Sequence, residues 1–277
     1  MKVGFIIFAH ERSGSNSLAN LLSCHPRINI IYEPFNEPWQ LESNPPLVKK
    51  IKNIKDVGSL DKFLEEINKT HQGIKHLFYQ VDKKYNQHLL KKSSKIIFLT
   101  RKNLLKTIIS KEISMRIGIW DTWKRDKEQV NKIILNHKFD SFSVEKVKKQ
   151  TIDLKEEIKG YKDYLKKKNI PFLEITYEEL YDSNIFINDK INKINNILKF
   201  LGYSPIKDIE KIKKMKGLLD YKKRKINNIE TYTSIPNILE IEKRLGNKET
   251  GYLFDEPKDS IKKLKIQIKI IKGRLNS

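Results

Sequence analysis

The sequence predicts an α/β protein with a parallel central sheet flanked by helices. Short apolar runs such as "KVGFIIFA", "GIKHLFYQV" and "SKIIFLTR" have the length and β-branched content of strands buried on both faces. Helical apolar spacing follows the first and last of these, so strands and helices alternate up to about residue 204. The basic and hydroxylic residues cluster after two of the strands, at the carboxyl ends where such sheets bind ligands.

"KVGFIIFA" leads into a helix from about Ser15 to Ser23, stopped at His25-Pro26 because the residue before proline is pushed out of the α region. "INIIYE" reads as a second strand and "PFNEPW" as a proline-broken loop. "SLDKFLEEINKTH" has a serine cap and helical spacing, and "GIKHLFYQV" is the next strand. "SKIIFLTR" is the clearest strand, and "NLLKTIISKEISMRIG" after it is a helix ending at a glycine. Residues 121–169 read as helical throughout, "IPFLEITYEEL" as a strand entering a helix, and "INKINNILKFLGY" as a helix stopped by glycine. Beyond residue 204 the strands run out, leaving a basic stretch "DYKKRKINN" and a lysine-rich last helix from Ser260 to Arg274. The organisation expected is one domain over 1–277, with an α/β core at 1–204 and a mostly helical extension at 205–277.

The net charge of +22 raises nucleic acid and membrane surfaces as partners. Only eight of the 56 basic residues are arginine, however, and Lys, Asn and Ile abound throughout, so a lysine-solvated surface is the simpler account. The single cysteine, Cys24, leaves no internal disulfide to form. The longest apolar run near the start, about six residues, is too short for a signal-peptide core or a membrane span. A cytoplasmic protein with no membrane span is expected.

Arg12 and Arg101 sit where predicted strands end. In "HERSGSNSL" the first strand runs into Ser-Gly-Ser and then a helix, which presents free backbone N–H groups at a positive helix end. Ser13, Ser15, Ser17 and Asn16 add side-chain donors, Gly14 lets the backbone approach a ligand, and Arg12 brings a forked cation suited to an oxyanion. A Walker A loop requires a Gly-Lys pair that this hinge lacks.

Arg-Ser-Gly-Ser after a first buried strand resembles the phosphosulfate-binding loop of sulfotransferases. "RSGSNSLANLLSCHPRINIIYEPFN" resembles the opening of the bacterial carbohydrate sulfotransferases of the nodulation-factor and glycolipid type. "FLTRKNLLKTIISKEISMRIGIW" resembles their second signature, a strand-end basic residue and a helix serine that grip the 3′-phosphate of the donor. The resemblance implies a P-loop-like sulfotransferase fold and 3′-phosphoadenosine 5′-phosphosulfate (PAPS) as co-substrate, with no metal. It also implies a hydroxyl on a carbohydrate or glycoconjugate as acceptor. It carries the 3′-phosphate contacts to Arg101 and Ser110, with Lys102 competing on spacing, and suggests a late basic loop around Arg224 and Lys225.

The same resemblance makes Glu33 the first candidate for general base, with Glu37 four residues on and His76 in "IKHLF" as competitors. Trp120 and Trp123 are candidates for stacking on a sugar or for core packing. Two other classes compete with this reading. A P-loop-like small-molecule kinase is opposed by the missing Gly-Lys. A basic nucleic-acid-binding module is opposed by the lack of a recognition-helix or zinc pattern, so no specific nucleic acid partner is expected.

Overall fold

A computed structural model describes residues 3–120, 127–220, 229–254 and 268. The chain divides into two compact units, Met1–Arg101 with Ile158–Tyr221, and Lys102–Glu157 with Lys222–Ser277.

The first unit holds a five-stranded, all-parallel sheet in the order β2-β3-β1-β4-β5. Its strands are β1 (Val3–Ala9), β2 (Ile30–Tyr32), β3 (Gly73–Leu77), β4 (Ser93–Thr100) and β5 (Phe172–Thr176). Both faces of the sheet are covered. Ile7, Ala9, Ile97, Leu99 and Ile175 pack on one face with α1 (Ser15–Leu22) and the later helices α10 (Ile187–Leu201) and α11 (Ile209–Leu219). Ile6, Phe8, Ile74, Ile96 and Phe98 pack on the other with α4 (Val57–Asn68), α5 (Lys83–Lys92) and the last turns of α8 (Val144–Lys167). Burial on both sides accounts for strands that read as continuous apolar runs.

Local signals set several helix ends. The segment expected as a proline-broken loop forms α2 (Glu37–Ser43), because Pro38 falls in the first turn, where no backbone donor is missed. A second short helix, α3 (Pro45–Lys52), follows it. The start of α4 is a reciprocal capping box between Asp56 and Ser59, not a serine cap alone. A single 3₁₀ turn, Phe78–Gln80, follows β3, and α9 (Tyr177–Tyr181) follows β5. Gly118 and Gly202 stop their helices in the left-handed conformation, as expected.

The second unit is helical apart from one isolated bridge, among the described residues. It contains α6 (Leu104–Ile117), α7 (Lys127–Asn136), the start of α8, α12 (Ile229–Thr233) and α13 (Ile238–Leu245). Its core joins Leu105, Ile109, Ile113, Val130, Ile134, Ile238 and Ile241. The stretch expected to be helical throughout breaks between α7 and α8, where Phe139 and Phe142 turn inward. Asn237 holds that break, accepting from the Phe142 N–H at 2.9 Å and donating to its carbonyl at 2.8 Å. The expected helix from Ser260 to Arg274 lies outside the described residues except for position 268.

Candidate functional site

The hinge between β1 and α1 is built as an open helix start. Arg12 and Gly14 both take left-handed backbone angles, φ 59° and 85°. Gly14 occupies the cap position of α1 and offers no side chain to its N–H groups, and the first turn carries no acidic residue. Those donors therefore face whatever lies before the helix, with the positive end of its dipole behind them. Ser13 is buried, and its hydroxyl donates to the His10 carbonyl at 2.6 Å. Ser15 is buried, while Asn16 and Ser17 are half-buried, and the Asn16 Oδ1 has no hydrogen-bond partner.

Two further residues hold the hinge to the rest of the sheet. His10 accepts the Arg101 N–H at Nε2, 3.1 Å away, so Nδ1 carries the proton and donates to the Glu11 carbonyl at 2.7 Å. Burial lowers the His10 pKa to about 4; the Glu11 bond opposes the shift and the Arg101 charge adds to it. The Arg101 guanidinium donates to the Arg12 carbonyl at 3.3 Å and lies 4.5 Å over the Tyr177 ring. A Cβ at Gly14 would sit 2.8 Å from that same ring. Glycine is thus required twice at this position, for its φ and for its close approach to Tyr177. The sequence assigned no role to His10 or Tyr177, and neither carried a motif signal.

The second cluster gathers around Glu33. Its N–H continues the ladder to the Lys75 carbonyl at 2.8 Å, but its φ of 47° ends the strand there. The carboxylate lands on the Lys75 ammonium, which is 1% exposed. Asn36 Nδ2 donates to Oε2 at 2.6 Å and Gln80 Nε2 at 2.7 Å. Gln40 donates to the main-chain carbonyls of Tyr32 and Glu33 at 2.7 and 3.0 Å. The Tyr32 hydroxyl donates to Asn20 on α1 at 2.7 Å, which ties this corner to the helix that starts at the hinge.

The other base candidates lie elsewhere. Glu37 opens α2 and pairs with Lys52 at 2.9 Å with both side chains about half exposed, 47% and 63%. His76 is fully buried, with Nε2 donating to Asn86 Oδ1 at 2.7 Å and its ring against Phe8 and Phe35. Burial lowers its pKa to about 4 against the Asn86 bond. Successive residues of a strand face opposite sides, so Lys75 belongs to the face of α1 and His76 to the other.

Lys102 and Ser110 belong to the second unit, where Lys102 is exposed and Ser110, on α6, is buried. Trp120 is 46% exposed. Arg224, Lys225 and Trp123 lie outside the described residues. Among the described residues, no group of three or more His, Cys, Asp or Glu side chains is placed to hold a metal ion. No described helix is long and apolar enough to cross a membrane.

A family model for the Stf0 sulphotransferases matches residues 51–223. No curated protein sequence matches the chain. Among solved structures, the sulfotransferase domain from the curacin biosynthetic pathway aligns at 14% identity with a TM-score of 0.41, covering 97% of this chain and 98% of that one.

Proposed function

The chain belongs to the Stf0 sulphotransferase family, and from that premise we propose that it moves a sulfonate from PAPS to a hydroxyl of a carbohydrate or glycoconjugate. The observation that carries the reading is the uncapped start of α1 at a left-handed Gly14, with Arg12 just before it and Glu33 tied to the same helix through Tyr32 and Asn20.

The N–H groups of Gly14, Ser15, Asn16 and Ser17 would receive the 5′-phosphosulfate. The main-chain N–H of Ser13 would assist, since its hydroxyl is spent on His10. Arg12 would meet the sulfonate and the bridging oxygen. In transfer, the acceptor oxygen bonds to sulfur as the bond from sulfur to the phosphate oxygen breaks. The electron pair leaves on the phosphate. Donors fixed in place before the reaction stabilise that growing charge. Glu33 would take the acceptor proton. Glu37 is paired away from the corner, and His76 is sealed on the opposite face.

Arg101 remains a donor contact, acting from beside the hinge where its side chain binds the Arg12 carbonyl. Arg101 and Ser110 are the proposed contacts to the 3′-phosphate, with Lys102 as the competing choice; Arg224 and Lys225, proposed to join them, lie outside the described residues. No step of this transfer requires a metal. We further propose that it acts in the cytoplasm.

Steady-state sulfation rates test the assignment. Arg12→Ala should lower kcat by about 10²–10³, and Glu33→Gln by about 10²–10⁴. Adenosine 3′,5′-bisphosphate should raise the melting temperature without magnesium, by mass action. Wild-type turnover in both variants would remove the hinge and Glu33 from the chemistry. A melting shift that needs ATP and magnesium would point to a kinase.

A further inference from the structure

We propose that Lys75 is a positioning residue that fixes the Glu33 carboxylate for proton abstraction; this rests on Glu33 being the base.

Lysine is out of place where it stands. β3 lies between β2 and β1, and all five of its residues are buried. Lys75 is in register with Ile7 on one side and Tyr32 on the other, and is 1% exposed. An ammonium ion in such a place loses far more hydration than an apolar side chain would. Replacing a buried ion pair with apolar residues is often neutral or stabilising, so fold stability alone does not call for a lysine here. Its head group meets the one carboxylate at this corner that the backbone turns out of strand geometry.

The acceptor count on that carboxylate gives the pair its meaning. Oε2 accepts from Asn36 and Gln80, which fills both of its lone-pair positions. Oε1 accepts from Lys75, which fills one. Among the described residues no further donor reaches the carboxylate, which leaves a position on Oε1 beside the ammonium. Three donors from three separate segments, β3, the loop before α2 and the 3₁₀ turn, thus stop the carboxylate from rotating. They leave one lone pair for an incoming hydroxyl. During transfer the acceptor proton moves to Oε1 as its oxygen bonds to sulfur, and the phosphate leaves with the electron pair. Lys75 touches neither sulfur nor the acceptor in this scheme. It acts only through Glu33.

Lys75→Met keeps a long unbranched side chain and removes the charge. Its kcat should fall by about 10²-fold, the scale of a misplaced catalytic group. The melting shift given by adenosine 3′,5′-bisphosphate should persist, showing that the donor site is intact. Adding Lys75→Met to Glu33→Gln should cost nothing further, because the group it positions is already gone. Wild-type kcat in Lys75→Met, or losses that multiply in the double variant, would overturn the proposal.

Should Lys75→Met fail to fold, Gln80→Leu on the partly exposed 3₁₀ turn removes one Oε2 donor, and with it the acceptor of the Leu77 N–H at the end of β3, but no bond between strands. It should lower kcat roughly tenfold and add nothing to Glu33→Gln; multiplied losses there count equally against the idea. Wild-type turnover in Glu33→Gln would overturn the base assignment itself. A slow Glu33→Gln beside a normal Lys75→Met would overturn only the role of Lys75.

Discussion

Acid should weaken the fold steeply between pH 6.5 and 4, because His10 and His76 are buried as neutral imidazoles. In the unfolded chain each takes a proton near 6.5, whereas in the folded protein burial delays this to about 4. Between those values the unfolded chain binds more protons. Stability is therefore complete above pH 6.5 and is lost as the pH falls toward 4. Each gap of about 2.5 units corresponds to about 3 kcal/mol at 1.36 kcal/mol per unit. Together they reach about 7 kcal/mol, the order of a whole domain's stability. Urea unfolding followed by circular dichroism, at steps from about pH 7.5 to 4.5, measures the effect directly. Near pH 5 these two rings should contribute close to two protons to the slope, about 2.5 kcal/mol per pH unit. His76→Gln should remove about half of that slope, whatever it does to stability at neutral pH. A stability that stays level from pH 6.5 to 5, or a slope untouched by His76→Gln, would refute the neutral burial of these rings.

Gly14→Ala should destabilise the protein by about 1–3 kcal/mol, since alanine resists the left-handed angle and its Cβ would press on Tyr177. The bisphosphate melting shift should shrink in that variant, and an undiminished shift would separate the hinge from donor binding. Glu37→Gln loses only a half-exposed pair with Lys52, worth about 0–1 kcal/mol, and should turn over at the wild-type rate. A slow Glu37→Gln would move the base from Glu33 to Glu37. Asn237→Ala removes both bonds to the Phe142 main chain and should cost about 1–3 kcal/mol in urea unfolding. No loss there would mean that water replaces the amide.

The parts of the fold legible in the sequence were those governed by local periodicity. β1, β2, β3 and β5 lie within the predicted runs, β4 starts one residue ahead of its run, and the glycine stops at 118 and 202 are where the pattern put them. The misread segments were decided by other effects. Pro38 reads as a breaker in sequence but is harmless in a first helical turn. The break before α8 comes from two phenylalanines seeking a core, and a charged, helix-favouring composition hides that. At the site, the Ser-Gly-Ser order and the strand-end arginines were readable. Tyr177 was not, because its contact with Gly14 spans 163 positions (177 − 14) and leaves no local mark.

The three base candidates show where sequence reasoning stops and strand geometry takes over. Glu33, Glu37 and His76 are all polar groups near strand ends, and their spacing does not rank them. Alternation along β3 separates two of the residues involved. His76 and Lys75 are neighbours, so one must face Phe8 and Phe35 while the other faces the side of α1. The histidine took the aromatic side, where it is neutral and sealed by Asn86. The lysine took the side of the hinge, where only a carboxylate makes its burial tolerable. A lysine inside an otherwise apolar parallel strand was thus a readable signal for a buried anion partner. It points to Glu33 because the left-handed turn at that residue carries the carboxylate across from the face that strict alternation would have given it.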